Sequence, residues 1–136
     1  MILIDTGPIV AAASQRDQQH AACLAALNAL QESPLITPLV LMEVCYFLST
    51  RATAAAEAAF LRSVAVGTFE LIALTPVDLQ RSAELVERYS NLPLGAADAS
   101  IIAVAERLDV RQILTLDRAH FSIVRPRHIA VFDLLP

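Results

Sequence analysis

With 136 residues, 56% of them hydrophobic, the chain is sized for one domain with a well-filled core and apolar surface to spare for a partner. All ten of its basic residues are arginine. That excludes a P-loop, which needs a phosphate-binding lysine, and argues against a phosphoacceptor receiver domain. Three glycines, at positions 7, 67 and 95, cannot build a GxGxxG dinucleotide turn, and a net charge of −4 speaks at first against nucleic acid.

Residues 2–4, ILI, read as a buried strand that turns into a helix through Asp5-Thr6-Gly7-Pro8. The opening MILIDTGP has no basic n-region, and no apolar run reaches the roughly 18 residues of a membrane span. A soluble, cytoplasmic chain without a membrane role is therefore expected. A helix is predicted over 17–32, with Asp17 in its first turn and Pro34 beyond its end. A short strand near Leu35-Ile36 leads to Pro38, which is placed to open the helix PLVLMEVCYFLST. An alanine-rich helix follows over 53–65 and stops near Gly67, and FELIAL (69–74) is strand-like.

The helix 75–90 carries Thr75 as cap, Pro76 at its first position and Asp78 three residues after the cap, close to a capping box. After the breaker NLPLG (91–95) comes the helix GAADASIIAVAERL, then strands QILTL (112–116) and IAVF (129–132). Cys23 and Cys45 fall inside helical patterns without metal-like spacing, and are expected to be reduced core thiols. Strands alternating with helices imply a parallel sheet covered on both faces, an α/β architecture.

Four acids do not fit that core. Asp98 shares a helix face with Ile101, Ile102, Ala105 and Leu108. Glu43 is the only charge in a helix so apolar that burial all round is expected, with Leu39, Val40, Tyr46 and Phe47 about it. Asp5 and Asp117 directly follow the strands ILI and QILTL, at the carboxyl rim where parallel sheets bind ligands. Each has an innocent reading: a first-turn dipole residue for Asp98, turn or cap residues for Asp5 and Asp117, a buried arginine partner for Glu43. One shared site explains all four at once. Two carboxylates 4 Å apart repel by ~4 kcal/mol at an effective dielectric of ~20, so such a site needs cations. All-oxygen ligands suit Mg²⁺ or Mn²⁺, and those ions suit phosphodiester hydrolysis.

In this order, LIDTGPIVA, the helix glutamate of PLVLMEVCYFL, LPLGAADASIIAVAERL and LTLDRAHF resemble the PIN-domain nucleases, and more narrowly the VapC-type toxins of bacterial toxin–antitoxin systems. The resemblance implies a single PIN domain over 1–136, a three-layer α/β/α fold with a central parallel sheet. It implies a metal-dependent endoribonuclease whose Mg²⁺ or Mn²⁺ is held by Asp5, Glu43, Asp98 and Asp117, leaving a 5′-phosphate and a 3′-hydroxyl. It also implies a VapB-type antitoxin partner and a homodimer. Thr6 and Thr115 match polar positions beside the first and fourth acids. Asn91 and His120 are departures, since family members often carry an acid at each.

Setting the four acids aside balances the remaining charge, because 10 − (14 − 4) = 0. Arg118, Arg125 and Arg127 follow Asp117 in RAHFSIVRPRH and are candidates to line an RNA path, as arginine suits bidentate phosphate contact; Arg16 could add to it from the first helix. Two other classes stay open: a metal-independent ribonuclease using His120 and His128 as acid and base, and a catalytically silent domain that only binds RNA or a partner.

Overall fold

A computed structural model describes all 136 residues. The chain runs β1 (Ile2–Ile4), α1 (Thr6–Ala13), α2 (His20–Ala29), β2 (Leu35–Ile36), α3 (Pro38–Arg51), α4 (Ala54–Ala65) and β3 (Glu70–Leu71). It continues through α5 (Pro76–Arg88), α6 (Ala96–Leu108), β4 (Gln112–Leu114), α7 (Arg118–Ile123) and β5 (Asp133–Leu135). The five strands form one all-parallel sheet in the order β3-β2-β1-β4-β5.

Every residue of β1 is buried, as a central strand covered on both faces requires. From β1 the chain steps outward to β2 and β3, then returns past β1 to β4 and β5. Right-handed crossovers put outward and returning helices on opposite faces, which gives the α/β/α layering. The order of steps reverses between β1 and β4, so a crevice opens beyond the carboxyl ends of that pair. No helix is long and apolar enough to cross a membrane.

Helix boundaries follow local chemistry. Thr37, Thr53 and Thr75 each cap a helix through a side-chain oxygen that accepts a backbone N–H, and Asp78 completes a capping box with Thr75. Helix α4 ends before Gly67, whose φ of +84° suits a residue without a side chain. Helix α6 is the pillar of the core, since every residue from Ala99 to Ala105 is buried. A buried hydroxyl pair fixes α3 to it. The Ser100 hydroxyl donates to Ala97 O at 2.7 Å, and Thr37 donates to Ser100 Oγ at 2.8 Å.

Several sequence expectations need correction. The last strand is Asp133–Leu135, not 129–132, because Asp133 N donates to Arg111 O and Thr115 N to Leu135 O; of the more apolar IAVF only Phe132 is buried, edge-on to Phe121. The strand expected over 69–74 is reduced to two exposed edge residues, Glu70 and Leu71. The first long helix begins at His20, since the Asp17 carboxylate accepts from Gln19 N in a local turn that competes with helix. Helix α7 had no sequence forecast.

Helix α3 is not buried all round. Its stripe of Val40, Val44 and Leu48 is buried while Met42 and Tyr46 are 68% and 62% exposed. Cys23 is a buried free thiol as expected, and Cys45 is half-buried.

Candidate metal centre

Four elements deliver the four acids to one place. Asp5 ends β1 and caps α1, and Asp117 follows β4 and caps α7 by accepting from His120 N at 3.0 Å. Glu43 projects from the middle of α3, and Asp98 stands in the first turn of α6. All four line a single cleft of about 340 Å³ at the β1/β4 crevice, together with Thr6, Arg51 and a fifth acid, Asp17. The innocent readings of Asp5, Asp117 and Asp98 are thus also true, because each is a cap or first-turn residue as well as a cleft residue. For Glu43 the innocent reading fails, as no arginine pairs with it; the ion pairs made within the quartet are those of Asp98 and Asp117 to His120.

Asp5 is the deepest, 6% exposed. Its Oδ1 accepts from Thr6 N and its Oδ2 from the Thr115 hydroxyl, both at 2.7 Å. Burial, then the charge of Asp98 and more weakly that of Glu43, pushes its pKa up to about 6, although the Thr115 and Thr6 hydrogen bonds oppose the rise. Asp98 is raised as well, chiefly by burial; His120 counters this and the charges of Asp117 and Glu43 add to it.

Thr115 is fully buried and works in both directions, donating to Asp5 and accepting from Asp117 N at 2.9 Å. Thr6 is the opposite case, for its buried Oγ1 has no hydrogen-bond partner at all.

His120 is not part of the cleft lining but contacts two of its acids, Asp98 and Asp117. Its Nδ1 lies 2.7 Å from Asp98 Oδ2 and 2.9 Å from Asp117 Oδ2, and its Nε2 lies 3.2 Å from Leu92 O. Burial works against its charged form, but the two carboxylates outweigh burial and raise its pKa.

These residues fit a hard divalent cation. The donors are carboxylate oxygens without arginine partners, burial and then the neighbouring charges of Asp98 and Glu43 raise the Asp5 pKa, and Thr6, a residue of the cleft lining, has a buried hydroxyl without a partner.

The remaining sequence candidates are more scattered. Asn91 is exposed in the turn before α6 and lines no part of the cleft. Arg127 is drawn away from it: its guanidinium donates to Glu84 and its backbone N–H to Glu106. Arg118 donates to the Pro136 carbonyl, Arg125 to Ser122 O, and Arg16 is exposed outside the cleft lining.

His128 Nε2 donates to Val110 O at 2.7 Å and lines a larger depression of about 780 Å³ that includes Met1 and Gln112. That depression lies at the starts of the strands, not at their carboxyl ends. His120 instead stands with Asp98 and Asp117 at the carboxyl ends, so the two histidines do not form an acid–base pair.

Arg51 was missed by the sequence reading. It is the one basic residue lining the acid cleft, and its guanidinium sits 4.4 Å from the centre of the Phe47 ring. Its signal was present in the spacing, since Glu43, Phe47 and Arg51 recur at four-residue steps and so share one helix face.

Residues 2–125 match the PIN domain family. The chain is 33% identical over 135 residues to Ribonuclease VapC26 of Mycobacterium tuberculosis, covering 99% of this chain and all of that protein. In fold it is similar to VapC20 of Mycobacterium tuberculosis, a sarcin–ricin loop cleaving toxin, with a TM-score of 0.78, 17% identity, and 83% and 87% of the two chains covered. It is likewise similar to a chain of a toxin–antitoxin complex from Klebsiella pneumoniae, with a TM-score of 0.69, 24% identity, and 95% and 100% covered. With its four carboxylates gathered at the switch point of a parallel sheet, the chain belongs to the PIN-domain family, among the VapC-type proteins.

Proposed function

We propose that the chain is an endoribonuclease toxin, a single PIN domain over 1–136 that hydrolyses RNA phosphodiesters with Mg²⁺ or Mn²⁺ held by Asp5, Glu43, Asp98 and Asp117. One observation carries the reading: four carboxylates from four separate elements converge on one cleft with no arginine among their ion-pair partners. Folding brings such charges together at a cost, and a bound cation offsets it. The relative named a ribonuclease, alike over nearly its full length, supports RNA as substrate. When bound, the ion supplies an acidified water and stabilises charge on the phosphoryl oxygens.

The protein's own part is positioning. Thr115 holds Asp5 and Asp117 in fixed relation, and the Thr37–Ser100 hydroxyl pair holds α3, and with it Glu43, against the helix that carries Asp98. Arg51, over the Phe47 ring on the cleft wall, is placed to take an RNA phosphate beside the reacting one. The exposed Arg118 and Arg125 extend that positive edge beyond Asp117.

A VapB-type antitoxin is the partner in this reading. An apolar groove of about 340 Å³ between α1, α2, α3 and α4, lined by residues such as Ile9, Leu27, Leu48 and Phe60, suits the apolar face of a partner helix. The homodimer belongs to the same proposal and is tested by mass in solution.

The deciding experiment incubates purified protein with structured RNAs, with and without Mg²⁺ or Mn²⁺, beside Asp98→Asn. Cleavage should require the metal and vanish in the variant, whose circular dichroism should match the parent. Cleavage that ignores both metal and substitution sinks the proposal, and so does an Asp98→Asn chain that fails to fold.

A further inference from the structure

Both nitrogens of the His120 imidazole are engaged. Leu92 O, 3.2 Å from Nε2, is a carbonyl and can only accept, so Nε2 carries a hydrogen. Nδ1 is then the atom turned toward two acids of the cleft, 2.7 Å from Asp98 Oδ2 and 2.9 Å from Asp117 Oδ2. One ligand atom from each of Asp98, Asp117 and His120 lies within 4.8 Å of the others.

A metal-ligating histidine commonly has this arrangement, with one nitrogen on the ion and the other N–H on a backbone carbonyl that fixes ring and tautomer. Two further features hold the ring in place. His120 N donates to Asp117 Oδ1 at 3.0 Å, which fixes the first turn of α7, and the neighbouring Phe121 is fully buried. Thr6, which lines the cleft with Asp98 and Asp117, is 3% exposed and its buried hydroxyl has no partner. This is a separate sign that the cleft is built around something the protein chain does not itself supply.

We propose that His120 Nδ1 is a metal ligand, joining Asp98 and Asp117 around a divalent ion and biasing the centre toward Mn²⁺ over Mg²⁺. The inference rests on the metal-dependent reading above. A cation bound there would take the Nδ1 lone pair, any proton on that nitrogen passing to solvent, while Nε2–H stays on Leu92 O. Mg²⁺ is held almost entirely by oxygen, whereas affinity for nitrogen donors grows along the first transition row. One imidazole among carboxylates therefore shifts preference without abolishing Mg²⁺ binding.

The test reads the metal, not the reaction. Wild-type protein with one equivalent of Mn²⁺ should give electron spin-echo modulation from a directly bound ¹⁴N nucleus, replaced by the ¹⁵N pattern after [¹⁵N]histidine labelling. His120→Gln should lose it. His120→Asp should bind Mn²⁺ without it, and by calorimetry its preference for Mn²⁺ over Mg²⁺ should fall on the order of tenfold. Should His120→Gln not fold, His120→Asp and the isotope label decide. Mn²⁺ binding without nitrogen modulation in the wild type, or modulation that survives either substitution, overturns the role of His120 and leaves the carboxylate centre standing. Absence of Mn²⁺ binding by the wild type overturns both.

Discussion

The Thr115 hydroxyl donates to Asp5 Oδ2 at 2.7 Å across 110 residues of chain. The same oxygen accepts from Asp117 N at 2.9 Å, so one buried side chain sets the relation between the acids that end β1 and follow β4. A hydroxyl has one proton to give, and here it goes to the deepest carboxylate of the cleft.

Thr115→Val keeps the shape and removes both contacts. Asp5 Oδ2 and Asp117 N then lose their partner, at a cost of about 1–3 kcal/mol in stability. With the site loosened by about 1 Å, cleavage should fall on the order of a hundredfold, while Thr115→Ser retains most of both. Chemical denaturation and single-turnover cleavage at saturating metal read the two effects separately. A Val variant cleaving at the parent rate would reduce Thr115 to a structural residue.

The acids were legible in the sequence because charge on an apolar background is conspicuous, and strand ends are simple to locate. Glu43 on α3 and Asp98 on α6 stood out through helical spacing alone. What spacing cannot carry is contact between distant segments. Nothing near Arg127 in sequence shows that Glu84, 43 residues earlier, holds its guanidinium, or that Leu92, 28 residues before His120, orients the imidazole. The fold follows the same pattern. Helices with caps and periodicity were placed well, whereas β5 was misplaced because ladder register with β4, not hydrophobicity, chooses Asp133–Leu135. Apolar content also misled at α3, where Met42 and Tyr46 face outward.

Asp5 gives the metal-free protein a pH signature. Its folded pKa is raised from 3.8 to about 6, by burial first and the Asp98 charge second. The folded state therefore binds this proton more tightly than the unfolded chain. Stability from this group is lost as pH rises from about 4 to about 6, by ~3 kcal/mol in total. Asp78 and Glu106, whose pKa values are lowered by arginine partners against the effect of burial, push the other way, so the difference between parent and Asp5→Asn is the quantity to follow. In EDTA the variant should be the more stable at pH 7, and its advantage should shrink toward pH 4. Saturating Mn²⁺ should reverse the order by stabilising only the parent. An advantage that does not change with pH would contradict the origin assigned to the shift.

Arg51 and Arg127 separate a cleft contact from a surface brace. Arg51 lines the acid cleft against Phe47 with no carboxylate partner, whereas Arg127 is committed to Glu84 on the exposed side of α5. With Asp98→Asn as background, so that RNA survives, binding of a labelled single-stranded oligoribonucleotide can be followed against salt. Each phosphate contact on a single strand contributes about 0.7 to the slope of log affinity against log salt. Arg51→Ala should flatten that slope by about 0.7 and weaken binding about tenfold, while Arg51→Lys should keep the slope and recover part of the affinity. Arg127→Ala should leave the slope unchanged and cost at most ~1 kcal/mol of stability, as expected for an exposed ion pair. If the slope instead follows Arg127, RNA runs over the α5 side of the molecule, and the cleft wall at Arg51 is not its path.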